Sequence, residues 1–193
     1  MYNRGYLRNF SNYDFMVFSM IEKILSVTRE ELNGIDLSEF TGVQHWFNLE
    51  AGQEHYRLLA YISTLFNNSI LLDIGTYKGD SARALSYGDN NVISFDLADD
   101  DLSFNGVDFR IGNILDHPDL ILYSPFILLD TFHNGDFEQE FMDKLIEIDY
   151  HGLIMFDDIY LNDPMGEFWR GVIHEKYDIT HIGHHTGTGI VKL

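Results

Sequence analysis

Ile70-Leu71-Leu72-Asp73-Ile74-Gly75-Thr76-Tyr77-Lys78-Gly79-Asp80-Ser81-Ala82 is the stretch whose reading decides the fold. An apolar run containing one acid meets Gly75, and Gly79 follows four residues later at the start of a helical pattern. The run reads as a buried strand, the glycines as a tight turn, and Asp80 onward as a helix start. Glycine lets the backbone lie close to a ligand, and the first N–H groups of a helix face whatever sits there. A second apolar run (Val92, Ile93, Phe95) ends in Asp96, 21 residues after Gly75. An acid at the tip of the second strand is where a doubly wound sheet holds a ribose diol. Together the two segments predict a nucleoside-bearing ligand.

Working outward, strands and helices alternate from Ser69 on. The pattern predicts strands over 70–74, 92–96, 107–111, 126–130, 153–156, 177–182 and 189–193. Helices are predicted over 80–86, 118–122, 136–148 and 164–175. Such alternation gives a mostly parallel sheet with helices on both faces. The last two strands are separated by too few residues for a crossover helix, so they must form an antiparallel hairpin. Residues 1–68 read differently. Helical spacing of Phe15, Met16, Phe18, Ile21, Ile24 and Leu25 predicts a helix over 13–27, and Thr28 with Glu31 makes a capping box for a short second one. A third is predicted over 53–66, and no flexible linker follows it. The expected organisation is one domain over 1–193, with a helical cap (1–68) on an α/β core (69–193).

The 193 residues carry a formal charge of −19, with only 12 Lys and Arg, none of them clustered. Nucleic acid and anionic membrane are both repelled by such a field, so neither is an expected partner. Solubility or a saline setting is the simplest account of the charge. There is no cysteine, hence no disulfide, thiolate metal site or cysteine nucleophile. The polar start and the absence of any long apolar run predict an intracellular, cytoplasmic protein.

Two features separate the candidate nucleoside ligands. An antiparallel seventh strand is the mark of class I methyltransferases rather than of dinucleotide enzymes. The first turn also lacks G-x-G-x-x-G, and bulky Tyr77 stands where a pyrophosphate needs close backbone approach. S-adenosylmethionine (SAM) has no pyrophosphate, and it fits with its amino-acid end beside the glycines and its adenosine near Asp96.

The segment from Asp73 to Ala82 resembles the acid-x-G-x-Y-x-G-x-S-A motif of catechol O-methyltransferase-like enzymes. The resemblance implies a SAM site at Asp73, Gly75, Tyr77, Gly79 and Ser81, with Tyr77 and Ser81 on the SAM carboxylate. It further implies Asp96 on the ribose, and Asn113 and Ile114 beside the adenine. In the second half, Asp130 and His133 end the fourth strand, and Asp157 and Asp158 end the fifth. This Asp-x-x-His followed by an acid pair resembles metal-dependent O-methyltransferases that act on macrolide sugars. It implies Asp130, Asp157 and Asp158 as Mg²⁺ ligands, with Asp130 and His133 catalytic and His133 the base. Catechol methyltransferases have Lys at the His133 position and Asn at the Asp158 position, and the macrolide enzymes usually have Glu at the Asp157 position. The resemblance spans about residues 50–193.

The residues alone allow plainer readings. Asp73 is a turn former, Asp157-Asp158 a solvated loop or helix cap, and His133 a surface histidine. His184 and His185 read as solvent-exposed turn residues, with contact to substrate as the alternative, and Phe168 and Trp169 read as core. Residues 50–53 either fold over SAM or simply begin a helix. Tyr2, Tyr6, Phe10, Tyr13, Trp46 and Phe47 form a substrate wall or ordinary packing, with packing favoured for most. The expected activity is metal-assisted methylation of a small-molecule or sugar hydroxyl. The rival readings are a metal-independent SAM methyltransferase, a non-catalytic SAM-binding protein and a nicotinamide-linked reductase. The residues leave the oligomeric state open, a homo-oligomer included.

Overall fold

The nearly continuous apolar runs β1 (Ile70–Ile74), β4 (Phe126–Leu129) and β5 (Leu153–Asp157) lie side by side at the centre of the sheet. A strand buried on both faces needs apolar side chains at every position, and these three have them at nearly all. β2 (Asn91–Asp96) and β3 (Val107–Ile111) extend the sheet beyond β1. β6 (Glu175–Asp178) and β7 (Thr188–Lys192) extend it beyond β5, giving seven strands in the order β3-β2-β1-β4-β5-β7-β6. The first five run parallel, and β7 is antiparallel to both β5 and β6. The predicted architecture, hairpin included, is therefore the one observed. The computed structural model describes residues 10–40, 45–98 and 100–193, except for the side chains of 10–16 and 45.

Helices cover both faces. α1 (Phe10–Ser26), α2 (Arg29–Asn33) and α3 (Tyr56–Thr64), together with α4 (Asp80–Leu85), pack on one face. α5 (Pro118–Tyr123), α6 (Asp136–Glu147) and α7 (Asp163–Gly171) pack on the other. The capping box predicted for α2 is present: the Thr28 side chain accepts from Glu31 N–H, and the Glu31 carboxylate accepts from Thr28 N–H at 2.8 Å. Phe168 and Trp169 are core, as expected, and so is Phe47, which stacks on Tyr56 at 5.3 Å. Tyr2 and Tyr6 lie outside the described residues, and of Phe10 and Tyr13 only the helical backbone is described.

Several expectations are corrected. Phe18 and Leu25, whose spacing marked α1 as a helix, are exposed, while Val17 and Met20 are buried. α3 begins at Tyr56 rather than 53, because residues 51–54 close a turn with a bridge between Ala51 and Glu54. α7 stops at Gly171 instead of 175. Glycine is a poor helix former, and Val172 behind it is β-branched and extended. β6 consequently starts at Glu175 and ends at Asp178, which lengthens the loop before β7 and carries it over the sheet's edge.

Side-chain alternation along the strands sets the site. Leu71, Leu128 and Met155 point to the cap-side core, whereas Leu72, Leu129 and Phe156 point to the other. With a period of two, Asp73, Asp130 and Asp157 all fall on the face that the cap covers.

Candidate functional site

Gly75 makes the first turn at φ +101°, and a Cβ there would sit 1.6 Å from the Asp130 carbonyl oxygen. No side chain fits between the ends of β1 and β4, so the β1 turn and the β4 end close on each other directly. Tyr77 follows at φ 44°, in the left-handed region, which is costly for a bulky residue. Its N–H donates to Asp96 Oδ2 at 3.0 Å, and Ala98 N–H donates to Asp96 Oδ1 at 3.0 Å. Each carboxylate oxygen accepts one of these amides, and a carboxylate oxygen has a second lone pair for a further donor.

This corner opens into a cavity of about 470 Å³, within the range of small-molecule sites. Gly75, Tyr77, Asp96, Asn113, Ile114 and Asp130 line it, together with Phe132 and Phe137. The cavity thus brings together most of the residues predicted for the cofactor. Asn113 does so while capping a short 3₁₀ turn, its Oδ1 accepting from Leu115 N–H at 3.0 Å. Asp73, Gly79 and Ser81 are not in the lining. Gly79 forms the left-handed N-cap of α4, and Ser81 is buried against Asp73.

Asp73 is fully buried inside β1. Its Oδ2 accepts from Ser94 Oγ at 2.6 Å, while its Oδ1 is buried without a hydrogen-bond partner. Burial pushes its pKa up to about 7, against the opposing hydrogen bonds from Ser94 and Ser81. The folded state therefore holds this proton at pH values where the unfolded chain has lost it. The stability so gained is full below about pH 4 and falls as pH rises towards 7. In the unliganded protein, Asp73→Asn is expected to gain on the wild type by up to about 4 kcal/mol over that window, at 1.36 kcal/mol per pKa unit. Urea midpoints at pH 5 and 8 check this, and a pH-independent difference would contradict it.

Beside the cavity, under the cap, lies a cluster of histidines and acids. His55, at the N-cap of α3, is 1% exposed and makes no capping bond with its side chain. Its Nδ1 meets Asp157 Oδ1 at 3.0 Å, and its Nε2 lies 4.0 Å from Asp130 Oδ2. His184, in the β6–β7 loop, places Nδ1 at 2.9 Å from Asp158 Oδ1 and 3.3 Å from Asp157 Oδ2, with Nε2 3.5 Å from Glu54. His133 Nε2 lies 3.2 Å from Asp130 Oδ1 and 3.5 Å from Asp158 Oδ2. Adjacent acids on a strand point to opposite faces. Asp158 escapes that rule by adopting φ 57° just past β5, so both acids of the pair reach the same imidazole.

The environment sets the charges. Burial opposes an imidazolium at His55, but the Asp157 carboxylate outweighs it and raises the pKa to about 9. His184 is raised to about 10 by the Asp157 and Asp158 carboxylates, again against burial. His133 is raised too: burial works against it, and the contact with Asp130 prevails. Burial and the Asp157 charge push Asp130 up, whereas the imidazoles of His55 and His184 hold Asp157 well below the usual carboxylate range despite its burial.

Surrounding contacts hold the cluster in place. The Glu138 carboxylate accepts from Gly135 N–H at 2.9 Å and from Thr131 Oγ at 3.2 Å, and Asn162 Nδ2 donates to the His133 carbonyl at 2.8 Å. The Thr186 hydroxyl donates to Asp158. Arg29 Nε of α2 donates to the His181 carbonyl and so ties the β6–β7 loop to the cap. His185 is exposed, as expected, but His184 is turned inward, contrary to its reading as a solvent-exposed turn residue. Sequence reasoning did not single out His55 or Glu54 at all. The one available signal was a histidine at a helix N-cap, where Ser, Thr, Asp or Asn is usual.

Three groups of donor atoms converge within 4.8 Å: His55, Asp130 and Asp157; Asp157, Asp158 and His184; and Glu54, His55 and His184. Among the described residues, no helix is long and apolar enough to cross a membrane.

The sequence matches no family model and no curated protein. Solved structures do match. The SAH-bound methyltransferase PaMTH1 of Podospora anserina aligns at TM-score 0.56 with 10% identity, over 100% of this chain and 98% of its own. An SAH-bound O-methyltransferase of Bacillus cereus aligns at 0.51 with 13% identity, over 95% and 91%. A Streptococcus mutans protein provisionally assigned as a SAM-dependent methyltransferase aligns at 0.50 with 13% identity, over 72% and 47%, so this chain spans about half its length. The fold is that of the class I SAM-dependent methyltransferases, finished by the same antiparallel strand that the sequence predicted.

Proposed function

We propose that this chain is a SAM-dependent O-methyltransferase that acts on a small-molecule or sugar hydroxyl with the help of a divalent cation. One observation carries the reading: Asp130 belongs both to the lining of the cavity and to the cluster of metal-ligand type. A nucleoside held by Asp96 and Asn113 would thus have its far end beside the acids. The carboxylates of Asp130, Asp157 and Asp158 and the buried, partnerless Nε2 of His55 suit a bound cation.

When bound, SAM supplies an electrophilic methyl group, and a divalent cation lowers the pKa of an acceptor hydroxyl. The chain's own work is positioning and proton transfer. Gly75 and Asp96 hold the nucleoside end, Phe132 and Phe137 give the cavity apolar walls, and Asp130 sits at the junction. Alignment for in-line transfer is worth up to roughly 7–11 kcal/mol in favourable intramolecular cases. His133 Nε2 faces the same junction, paired with Asp130 and Asp158, and His133 would take the hydroxyl proton once a bound cation draws those carboxylates away from the imidazole.

Calorimetry with SAM, S-adenosylhomocysteine and NADPH, joined to transfer from labelled SAM onto a panel of sugars and catechols, tests this. Binding of the first two, with transfer that EDTA stops and added divalent cation restores, is the expected result. NADPH binding without SAM binding would overturn the cofactor. Undiminished transfer in excess EDTA would leave a methyltransferase without a metal.

A further inference from the structure

The carboxylate ligands expected for Mg²⁺ are present, but none of the three convergent donor groups is made of carboxylates alone. Each contains at least one imidazole. Mg²⁺ takes oxygen ligands and gives up its water reluctantly, whereas imidazole suits iron, nickel, copper and zinc. The donor set therefore disagrees with a site built for magnesium.

His55 makes the disagreement specific. The residue is 1% exposed, and its Nε2 is buried with no hydrogen-bond partner, aimed at Asp130. That nitrogen faces Asp130 Oδ2 at 4.0 Å without a hydrogen bond, and leaving a buried donor or acceptor unbonded costs about 1–3 kcal/mol. His55 also occupies a helix N-cap without capping it. Its Nδ1, meanwhile, is fixed by Asp157 Oδ1 at 3.0 Å. One ring nitrogen held by a carboxylate and the other presented to a group of acids is how a metal-ligating histidine is oriented.

We propose that His55, delivered by the cap, joins Asp130 as a ligand through Nε2, that Asp157 orients the ring from Nδ1, and that the site selects a divalent transition metal over magnesium. The cation would be of the class that accepts both imidazole and carboxylate, such as manganese, iron(II), cobalt or zinc. The inference rests on the metal-assisted reading given above.

The test is binding to the whole chain after stripping with chelator, with no SAM present. Calorimetric titrations with Mn²⁺, Co²⁺ and Mg²⁺ are expected to show the first two at least about tenfold tighter than Mg²⁺. The Co²⁺-loaded wild type is expected to show hyperfine-shifted imidazole protons by NMR, a readout that needs no variant. His55→Gln is expected to weaken Co²⁺ by at least about tenfold while SAM affinity stays within about threefold, since His55 is not in the cavity lining. Mg²⁺ bound as tightly as Mn²⁺ and Co²⁺, or Co²⁺ bound with no shifted imidazole resonance, would overturn the proposal. If no divalent metal binds at all, the inference falls together with metal assistance, and SAM calorimetry on the same sample shows whether the methyltransferase reading stands.

Discussion

Asp157→Asn is expected to lower methyl transfer by at least about 100-fold while SAM affinity changes by less than about threefold. Asp157 lies at the end of β5, outside the cavity lining, yet it belongs to two of the three convergent donor groups. It is also the partner of both inward-facing imidazoles, His55 at 3.0 Å and His184 at 3.3 Å. Asparagine keeps the shape and one acceptor oxygen, so the His55 contact survives as a neutral hydrogen bond and the fold is retained. What goes is the charge that would hold a cation and that sets the imidazoles. Breaking a buried ion pair by removing one charge costs about 3–5 kcal/mol, and neutralisation of the histidines reduces that loss. Single-turnover transfer rates beside SAM calorimetry separate the two halves of the site. Equal loss of SAM affinity would mean that the cluster and the cavity are one unit.

Gly75→Ala is expected to destabilise the fold by at least about 3 kcal/mol and to weaken SAM binding by at least about 100-fold. The added methyl would sit 1.6 Å from the Asp130 carbonyl oxygen, at a φ of +101° that disfavours any L side chain. The obstruction is backbone, so no rotamer change relieves it. β1 and β4 must separate where Asp130 N–H donates to the Ile74 carbonyl at 2.8 Å. Because Asp130 serves both cavity and cluster, metal binding should fall as well. Gly79→Ala is the control: its φ is +78°, but the nearest atoms are side-chain carbons of Phe109 and Leu102 at 3.2–3.3 Å, so a cost of about 1–2 kcal/mol is expected. Denaturant midpoints of the two variants give the comparison, and similar losses would contradict the steric account.

Much of the corner around Gly75 was legible in advance because it is local. Glycine at a positive φ, an apolar run before it and an acid ending the next strand are constraints among neighbours, and each leaves a mark in composition and spacing. Gly75, Tyr77, Asp96, Asn113 and Ile114 do line one cavity. Asp130, His133, Asp157 and Asp158 could be expected near one another because strand ends in a parallel sheet share one edge. His55 was not singled out, since nothing in its own neighbourhood separates a buried histidine facing acids from an ordinary helix-start residue. His184 was read as an exposed turn residue because the loop holding it was taken to be short. Its inward course depends on where α7 stops and on the tie between Arg29 and the loop.

The sequence by itself determined the sheet, its antiparallel finish, the turn at Gly75 and the period-two alternation that sends Asp73, Asp130 and Asp157 to one face. These follow from backbone sterics and from the pattern of apolar residues along each strand. Only the tertiary structure decided which face the cap would cover, and hence that an imidazole from α3 would meet acids roughly 75 and 100 residues away in the chain. That choice is a packing outcome, summed over many apolar contacts of long sequence separation. It turns a row of strand-end acids into a mixed histidine and carboxylate site.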